Sequence, residues 1–282
     1  KDILVIDNFS SGSMDNLPDG VEVENLDICS PEARELVRKI QPEILVHAAA
    51  QISVRESMED PHYDAQVNVS GFLNLLQAFT TETMPYCVFI STGGAIYGEQ
   101  EVYPAPEAHR VKPECFYGLS KYVGELYLEL WKRAFGLNYA VLRLANVYGP
   151  RQNPHGEAGV VAIFTQIVQA GTVPTIYGTG NQTRDFVYVG DVAAAVLGAA
   201  ESKVSGTFNI GTGMETSIEA ICRKICELKG ADFSPKYDSA RPGEQMRSCV
   251  DPSYAKEVFG WQPSVSIDDG LGQTYDWFQS KS

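Results

Sequence analysis

Short apolar runs alternate with amphipathic segments through the first half of the chain. Continuous or alternating apolar runs predict strands at 3–6, 21–27, 44–47, 87–90 and 139–143. Helical spacing predicts helices at 64–80 and 117–135, and Ser30 before Pro31 marks the start of another. Because strand and helix alternate, we predict an α/β fold whose open, doubly wound parallel sheet is covered by helices on both faces.

The pattern changes after residue 150. Loops become richer in Gly, Pro and Asn, segments become shorter, and helices are predicted at 159–170, 191–200 and 218–228. We therefore expect a first domain at 1–150, with 186–205 packing back onto it. The remainder, 151–282, is expected to form a smaller, less regular C-terminal region.

No glycine-rich phosphate loop follows a strand anywhere in the sequence, and the chain begins without Met directly on a strand. In a doubly wound nucleotide-binding sheet, that loop follows the first strand, which lies in the middle of the sheet. We therefore expect an upstream segment of the natural protein to supply the first strand and the glycine loop.

Composition narrows the classes of partner. The 282 residues are 44% hydrophobic and carry a net charge of −14, which argues against a nucleic-acid or anionic-membrane surface. The six cysteines are scattered; Cys222 and Cys226 share a predicted helix but have no second Cys/His pair nearby. We predict no metal site and expect reduced thiols in a cytoplasmic protein.

Tyr117 and Lys121 are the leading candidates for catalysis. They lie four residues apart on a predicted helix, so they share a face, and a lysine ammonium lowers the pKa of a nearby phenol. Thr92, at the end of the preceding strand, could bind the same substrate oxygen. Together they suit proton transfer during alcohol oxidation by hydride transfer. Alone, Tyr-x-x-x-Lys is common enough to be a surface pair, so the surrounding sequence must decide.

Asp7 ends the first strand in the sequence. A carboxylate there can accept both ribose hydroxyls of adenosine and repel a 2′-phosphate, which favours NAD over NADP. The alternative is a turn aspartate, because Asp-Asn before Ser-Ser-Gly is also typical of turns.

These features, with several further motifs, resemble the extended short-chain dehydrogenase/reductases, a group of NAD-dependent epimerases and dehydratases, and among them the UDP-glucose 4-epimerases. The matching segments lie at 6–12, 26–28, 46–50, 67–71, 91–98, 117–121, 143–151, 183–189, 209–211 and 241–244. The resemblance implies a Rossmann sheet, bound NAD and a nucleotide-sugar substrate. It also implies that epimerisation proceeds by transient hydride transfer through a 4-keto sugar.

The resemblance places the cofactor along the first domain. The implied NAD contacts are Asp7, Asn8, Ser10, Ser11, Gly12, Asp27, Ile28, Ala48, Ala49, Ala50, Asn68, Tyr117 and Lys121. From the residues alone, an Ala run is equally typical of tight helix-on-sheet packing. For Asn68, a structural tie between a helix and the active-site strand is favoured over a cofactor contact.

The implied substrate contacts lie mostly in the C-terminal region. They are Thr92, Asn146, Val160, Thr175, Ile176, Tyr177, Arg184, Arg241 and Ser248. Arginine suits a nucleotide diphosphate because it donates bidentate hydrogen bonds, although Arg184 beside Asp185 could equally form an internal ion pair or a surface loop. A residue as small as Ser248 beside the sugar would leave room for an N-acetyl group, so UDP-GlcNAc and UDP-GalNAc are further candidate substrates.

The end of the 87–90 strand distinguishes this chain from related enzymes. In the epimerases a Ser or Thr lies four residues before the Tyr equivalent to Tyr97, where this chain has Gly93. Either the backbone is shifted by one residue or Thr92 reaches over from the adjacent position. The related 4,6-dehydratases carry an Asp-Glu pair where this chain has Gly93 and Gly94, so dehydration is disfavoured.

Two other functions remain open from the sequence. One is a sugar-nucleotide oxidoreductase or decarboxylase of the same superfamily that releases an oxidised product. The other is an inactive nucleotide-sugar-binding relative. The resemblance also implies a homodimer, in which the 64–80 and 117–135 helices of two subunits form a four-helix interface.

Overall fold

The computed structural model describes residues 3–154, 159–240 and 245–281. The chain divides by packing into two compact units. The first contains 1–91, 113–141 and 200–206, and the second contains 92–112, 142–199 and 207–282. The predicted boundary at residue 150, between a first domain and a smaller C-terminal region, stays a prediction.

The first unit contains parallel strands covered by helices. Its elements are β1 (Leu4–Ile6), β2 (Glu22–Glu24), α1 (Pro31–Ile40), β3 (Ile44–His47), α2 (Val54–Glu59), α3 (Pro61–Ala65), α4 (Phe72–Leu76), β4 (Tyr86–Thr92), α5 (Phe116–Phe135) and the start of β5 (Asn138–Leu144). β1 pairs with β2 in parallel, and β4 lies between β3 and β5. This arrangement confirms the predicted α/β class with a parallel sheet.

Two local signals in this unit act as predicted. Ser30 caps α1, where its hydroxyl accepts from the amide of Ala33, and Pro31 occupies the first turn.

An apolar core joins α4, β4, α5 and β5. Its buried residues are Phe72, Leu76, Cys87, Phe89, Leu128, Leu137 and Val141. The continuous apolar run at 87–90 therefore marked a buried strand, whereas the run at 3–6 did not, because β1 is only half-buried and Ile3 is exposed.

The predicted 64–80 helix is confirmed over most of its length, but it is not one regular α-helix. The structure has α3, then a π-helical turn at Gln66–Gly71, then α4, which ends at Leu76. A π-helical turn widens the helix by one residue and is frequent near functional sites. Here it carries Asn68, whose buried side chain meets polar groups that come from outside the helix.

The second unit combines short strands with longer helices. Its elements are β6 (Asn146–Tyr148), α6 (Val160–Gln169), β7 (Thr175–Tyr177), β8 (Thr183–Arg184), β9 (Phe186–Tyr188), α7 (Val189–Ser202), β10 (Gly206–Ile210), β11 (Thr216–Ser217), α8 (Ile218–Lys229), β12 (Lys236–Asp238), β13 (Arg247–Ser248), α9 (Ser253–Phe259) and α10 (Ile267–Lys281). The predicted helices at 159–170, 191–200 and 218–228 are confirmed as α6, α7 and α8. The short strands between them were not predicted.

These short strands form small sheets. β8 lies between β11 and β13, β7 pairs with β12, and β6 pairs with β9 in parallel. A core of α6, α8 and α10 side chains packs beside them. In the described part of the chain, no helix is long and apolar enough to cross a membrane.

Candidate active site

The first turn of α5 presents Tyr117, and the next turn presents Lys121. The helix begins after Cys115, whose sulfur accepts from the Gly118 amide at 3.4 Å. Tyr117 is half-buried, whereas Lys121 is only 3% exposed. The structure thus confirms that both residues lie on one helix, one turn apart.

Lys121 lies in an aromatic and acidic environment within the first unit. Its ammonium is 4.4 Å from the centre of the Phe89 ring, and that ring stacks on His47 with 5.6 Å between centroids. Burial lowers the pKa of Lys121 to about 8, and the carboxylates of Glu125 and Asp64 act in the opposite direction. A buried lysine of this kind is typical of functional sites.

A buried hydrogen-bond network centres on Asn68. The Asn68 amide accepts from the Gln51 backbone amide at 2.8 Å and donates to the Gln51 carbonyl at 3.0 Å. It also donates to Asp64 at 3.1 Å and to the Ser120 hydroxyl at 3.0 Å. Ser120 in turn donates to the Tyr117 carbonyl at 3.0 Å. Asn68 therefore ties the β3–α2 loop to the start of α5, as expected for a structural role.

A second polar contact reaches α5 from the end of β4. The Ser91 hydroxyl donates to the Glu125 carboxylate at 2.6 Å, and both side chains are buried. Sequence reasoning missed Glu125 and Ser91, together with Gln51, Asp64 and Ser120. The available signal was spacing, because Glu125 follows Lys121 by four residues and Asp64 precedes Asn68 by four, each on one helical face.

The predicted adenosine-binding residues lie together where β1 and β2 end. Asp7 accepts from the Phe9 amide at 2.7 Å, and Asn8 donates to Asp27 at 3.4 Å. A Cβ at Gly12 would lie 3.0 Å from the Asp7 carboxylate, so glycine leaves that carboxylate open to a ribose. The turn contact uses Oδ1 of Asp7, and the open oxygen beside Gly12 is Oδ2. Ser10 and Ser11 belong to the same exposed turn, and Ile28 is buried beside it.

The Ala48–Ala50 segment follows β3 as expected. Ala48 is exposed, Ala49 packs on a core cluster, and Ala50 is half-buried. The segment therefore combines packing with an exposed backbone. These cofactor contacts stay predictions.

Thr92 and Gly93 lie in the second unit. The Thr92 hydroxyl accepts from the Ala95 amide at 3.1 Å. The Gly93 amide donates to the Leu144 carbonyl at 2.6 Å, and a Cβ on Gly93 would lie 2.9 Å from Val250. There is no space for a hydroxyl side chain at position 93. Of the two adjacent positions, Thr92 therefore stays the predicted hydrogen-bond donor to the substrate.

Asn146 lies close to the same turn. A Cβ on Gly94 would be 3.6 Å from the Asn146 side-chain oxygen and 3.9 Å from the Thr92 hydroxyl. The structure therefore brings Thr92 and Asn146, two of the predicted substrate residues, to one glycine turn.

Arg184 and Ser248 are brought together by strand pairing. They are directly opposed in the parallel pair of β8 and β13. The neighbouring Asp185 is buried, and its carboxylate accepts from the Thr212 amide at 2.8 Å and hydroxyl at 2.6 Å. Asp185 therefore holds the loop after β10, whereas Arg184 lies on the strand that Ser248 joins.

The other substrate predictions have different surroundings. Thr175, Ile176 and Tyr177 form β7, in which Ile176 is fully buried and the Tyr177 ring is exposed. Val160 begins α6 and is half-buried. Arg241 lies outside the described residues. No group of three or more His, Cys, Asp or Glu side chains in the described ranges is arranged to hold a metal ion.

The sequence and the fold both match known proteins. The model of the NAD dependent epimerase/dehydratase family matches residues 1–211. A UDP-glucose 4-epimerase of Mycolicibacterium smegmatis is 40% identical over 99% of this chain and 91% of its own length.

Two solved structures are similar to this chain in both sequence and fold. A UDP-glucose 4-epimerase of Thermotoga maritima, solved with UDP-glucose, has a TM-score of 0.94 and 43% identity over 99% of this chain and 91% of that one. A UDP-glucose 4-epimerase of Thermus thermophilus, solved with NAD, has a TM-score of 0.91 and 39% identity over the same shares. The chain belongs to the NAD dependent epimerase/dehydratase family.

Proposed function

We propose that the chain is a UDP-glucose 4-epimerase that interconverts UDP-glucose and UDP-galactose with bound NAD. The observation that carries this proposal is the first part of α5, where Tyr117 precedes the buried Lys121 by one turn. Its support includes the 43% identity to an enzyme solved with UDP-glucose and the NAD complex of a second relative.

In the proposed mechanism, Tyr117 acts as the base. The Lys121 ammonium stabilises the phenolate, which takes the proton of the sugar 4′-hydroxyl. Bound NAD would supply the acceptor for the hydride that leaves C4 as the 4-keto sugar forms and, after that sugar turns about its phosphate linkage, the donor of the same hydride to its opposite face. Tyr117 then returns the proton, so there is no net oxidation.

We propose that the chain divides its ligands between 1–150 and 151–282. The first range would hold NAD through the residues named above, with Asp7 on the adenosine ribose and Lys121 on the nicotinamide ribose. Asn146, Arg184 and Arg241 would bind the diphosphate, and Val160 with β7 would cover the uracil. Thr92 would donate a hydrogen bond to the sugar.

Turnover of UDP-glucose and UDP-galactose tests the function. We expect interconversion without accumulation of NADH when the nucleotide sugar is in excess. Tyr117→Phe should lower kcat by about 10²–10⁴-fold, the usual contribution of a general base, while NAD and UDP-glucose still bind. A rate equal to that of the wild type would refute the role of Tyr117, and net NADH formation would favour an oxidoreductase.

We further propose that N-acetylated sugars are accepted. Ser248 lies on the strand beside Arg184, and a residue this small would leave volume next to the sugar for an N-acetyl group. Turnover of UDP-GlcNAc and UDP-GalNAc should be measurable. Its complete absence, alongside activity on UDP-glucose, would contradict this proposal while leaving the main one intact.

A homodimer and a cytoplasmic location complete the proposal. Leu119, Leu126 and Leu130 are exposed on α5 and spaced to share one face, which is typical of a helical interface. A cytoplasmic location agrees with the six cysteines, because the described residues contain no disulfide. Cell fractionation would test the location.

A further inference from the structure

The Lys121 side chain is buried against the Phe89 ring of β4, and Glu125 follows it by one turn on α5. We propose that Glu125 is a positioning residue, a buried carboxylate held by Ser91 that keeps Lys121 protonated for the Tyr117 reaction. This inference rests on the function proposed above. It assigns to Glu125 a role in the charge of the active-site lysine.

The geometry of Glu125 supports a fixed charge. Glu125 is 6% exposed and lies one turn after Lys121 on the same face of α5. Its carboxylate accepts from the Ser91 hydroxyl at 2.6 Å, a short distance that is typical of a bond to an ionised acceptor. Because Ser91 belongs to β4, the strand fixes the orientation of the carboxylate relative to the helix.

A buried carboxylate is costly unless a cation or several donors compensate its charge. Lys121 is itself buried, so each charge reduces the cost of the other. Burial lowers the pKa of Lys121 to about 8, and Glu125 gives the largest opposing contribution. Without Glu125, the lysine would lose its proton at a lower pH.

The other titratable groups facing Lys121 contribute less charge. Asp64 approaches from α3, but burial raises its pKa and its charge is shared with hydrogen bonds from Gln51 and Asn68. His47 approaches from β3, and its pKa is lowered to about 3, so it is neutral near pH 7. Tyr117 precedes Lys121 by one turn on α5, and in the proposed function it is the group whose phenolate the lysine stabilises. Glu125 is therefore the main source of negative charge acting on the lysine.

Glu125→Gln is the direct test because it removes the charge but keeps the shape and an oxygen that can accept from Ser91. The matched control is Glu129→Gln, which removes an exposed carboxylate one turn later on α5. Full-length protein labelled with ¹³C at the lysine side chains would be titrated by NMR without nucleotide sugar, and Lys121→Met would identify the Lys121 signal.

We expect the pKa of Lys121 to fall by at least one unit in Glu125→Gln, a tenfold change in its ionisation constant, and to stay unchanged in Glu129→Gln. The alkaline limb of the epimerisation pH profile should move to lower pH by the same amount, and Glu125→Asp should restore part of the shift. An unchanged pKa in a folded Glu125→Gln variant would overturn the proposal.

If Glu125→Gln does not fold, Ser91→Ala tests whether Glu125 raises the pKa of Lys121. Removal of the hydroxyl donor frees the Glu125 carboxylate to leave the orientation that β4 imposes, so the pKa of Lys121 should again fall, by a smaller amount. No change in that variant would overturn the proposal. The titration needs no substrate, so its result is independent of turnover. An unchanged pKa would refute the role of Glu125 even if the wild type interconverts UDP-glucose and UDP-galactose, and a lack of turnover would refute the proposed function even if the pKa shifts.

Discussion

His47 is a titratable side chain enclosed by aromatic rings. It is 2% exposed, its ring centre lies 4.6 Å from that of Phe72 and 5.6 Å from that of Phe89, and its Nε2 has no hydrogen-bond partner among the described residues. Burial, with a smaller effect from the charge of Lys121, lowers its pKa from 6.5 to about 3. The imidazole is therefore neutral in the folded protein.

This residue predicts a loss of stability in acid. Between pH 6.5 and about 3 the unfolded chain binds a proton at His47 and the folded chain does not, so stability falls as the pH is lowered through that window. His47→Gln should remove about 3 kcal/mol of the loss between pH 7 and pH 4, because each unit of pKa shift corresponds to ~1.4 kcal/mol. Urea denaturation at a series of pH values measures it.

His62→Gln is the control for this prediction, because His62 is exposed on α3. It should leave the pH dependence of unfolding unchanged. Equal pH dependence in wild type and His47→Gln would mean that His47 is not held neutral.

Sequence reasoning identified residues with a strong local signal. Tyr117 and Lys121 follow a recognisable spacing, and the structure places them one turn apart on α5; Asp7 was identified by its place after a strand, and there it makes a turn contact with the Phe9 amide. Asp64, Gln51 and Glu125 were missed because their roles come from contacts 13 to 34 residues away in the chain. The side chain that each of these residues meets depends on how loops, strands and helices pack together. No single segment of the sequence determines that packing.

At the level of elements, Gly124 sets the approach of α5 to β4. A Cβ added to Gly124 would lie 2.5 Å from the Phe89 ring, the same ring that carries the Lys121 ammonium. The absence of a side chain there lets the helix lie close to the strand. The glycine therefore links the packing of this layer to the position of the lysine.

Gly124→Ala should destabilise the protein. The added methyl overpacks the contact with Phe89 by ~1–3 kcal/mol, which exceeds the gain of up to ~1 kcal/mol in helix propensity. The control is Gly272→Ala in α10, where an added Cβ meets no atom within 4 Å and only the propensity gain applies. Denaturant unfolding should therefore give opposite signs for the two variants, and equal signs would contradict this account.

The elements themselves were predicted unevenly for a physical reason. The strands of the first unit and the helices α5, α6 and α8 have long apolar patterns, and those patterns identified them. Strands of two or three residues, such as β8 and β13, are too short to show periodicity, so they were missed. The π-helical turn at Gln66–Gly71 was missed because its spacing of apolar residues does not distinguish it from an α-helix.

At the scale of the whole molecule, charge and exposed apolar surface act in opposite directions on self-association. Each chain carries a formal charge of −14, so two copies repel each other. Leu126 and Leu130 on α5 are 45% and 49% exposed, and burial of such side chains favours association. A dimer must therefore bury enough apolar surface to exceed the repulsion.

Leu126→Glu combined with Leu130→Glu should convert the proposed dimer into a monomer, because two added carboxylates would face their copies in an apolar interface. Salt screens charge repulsion over about 10 Å at 0.1 M, so wild-type association should strengthen as salt is raised. Sedimentation velocity over a range of salt concentrations measures both effects. Leu197→Glu is the control, because Leu197 is 59% exposed on α7, outside this face, and should leave the dimer intact. A double variant that sediments like the wild type would exclude α5 as the interface, whereas the chemistry at Tyr117 would still stand on its own test.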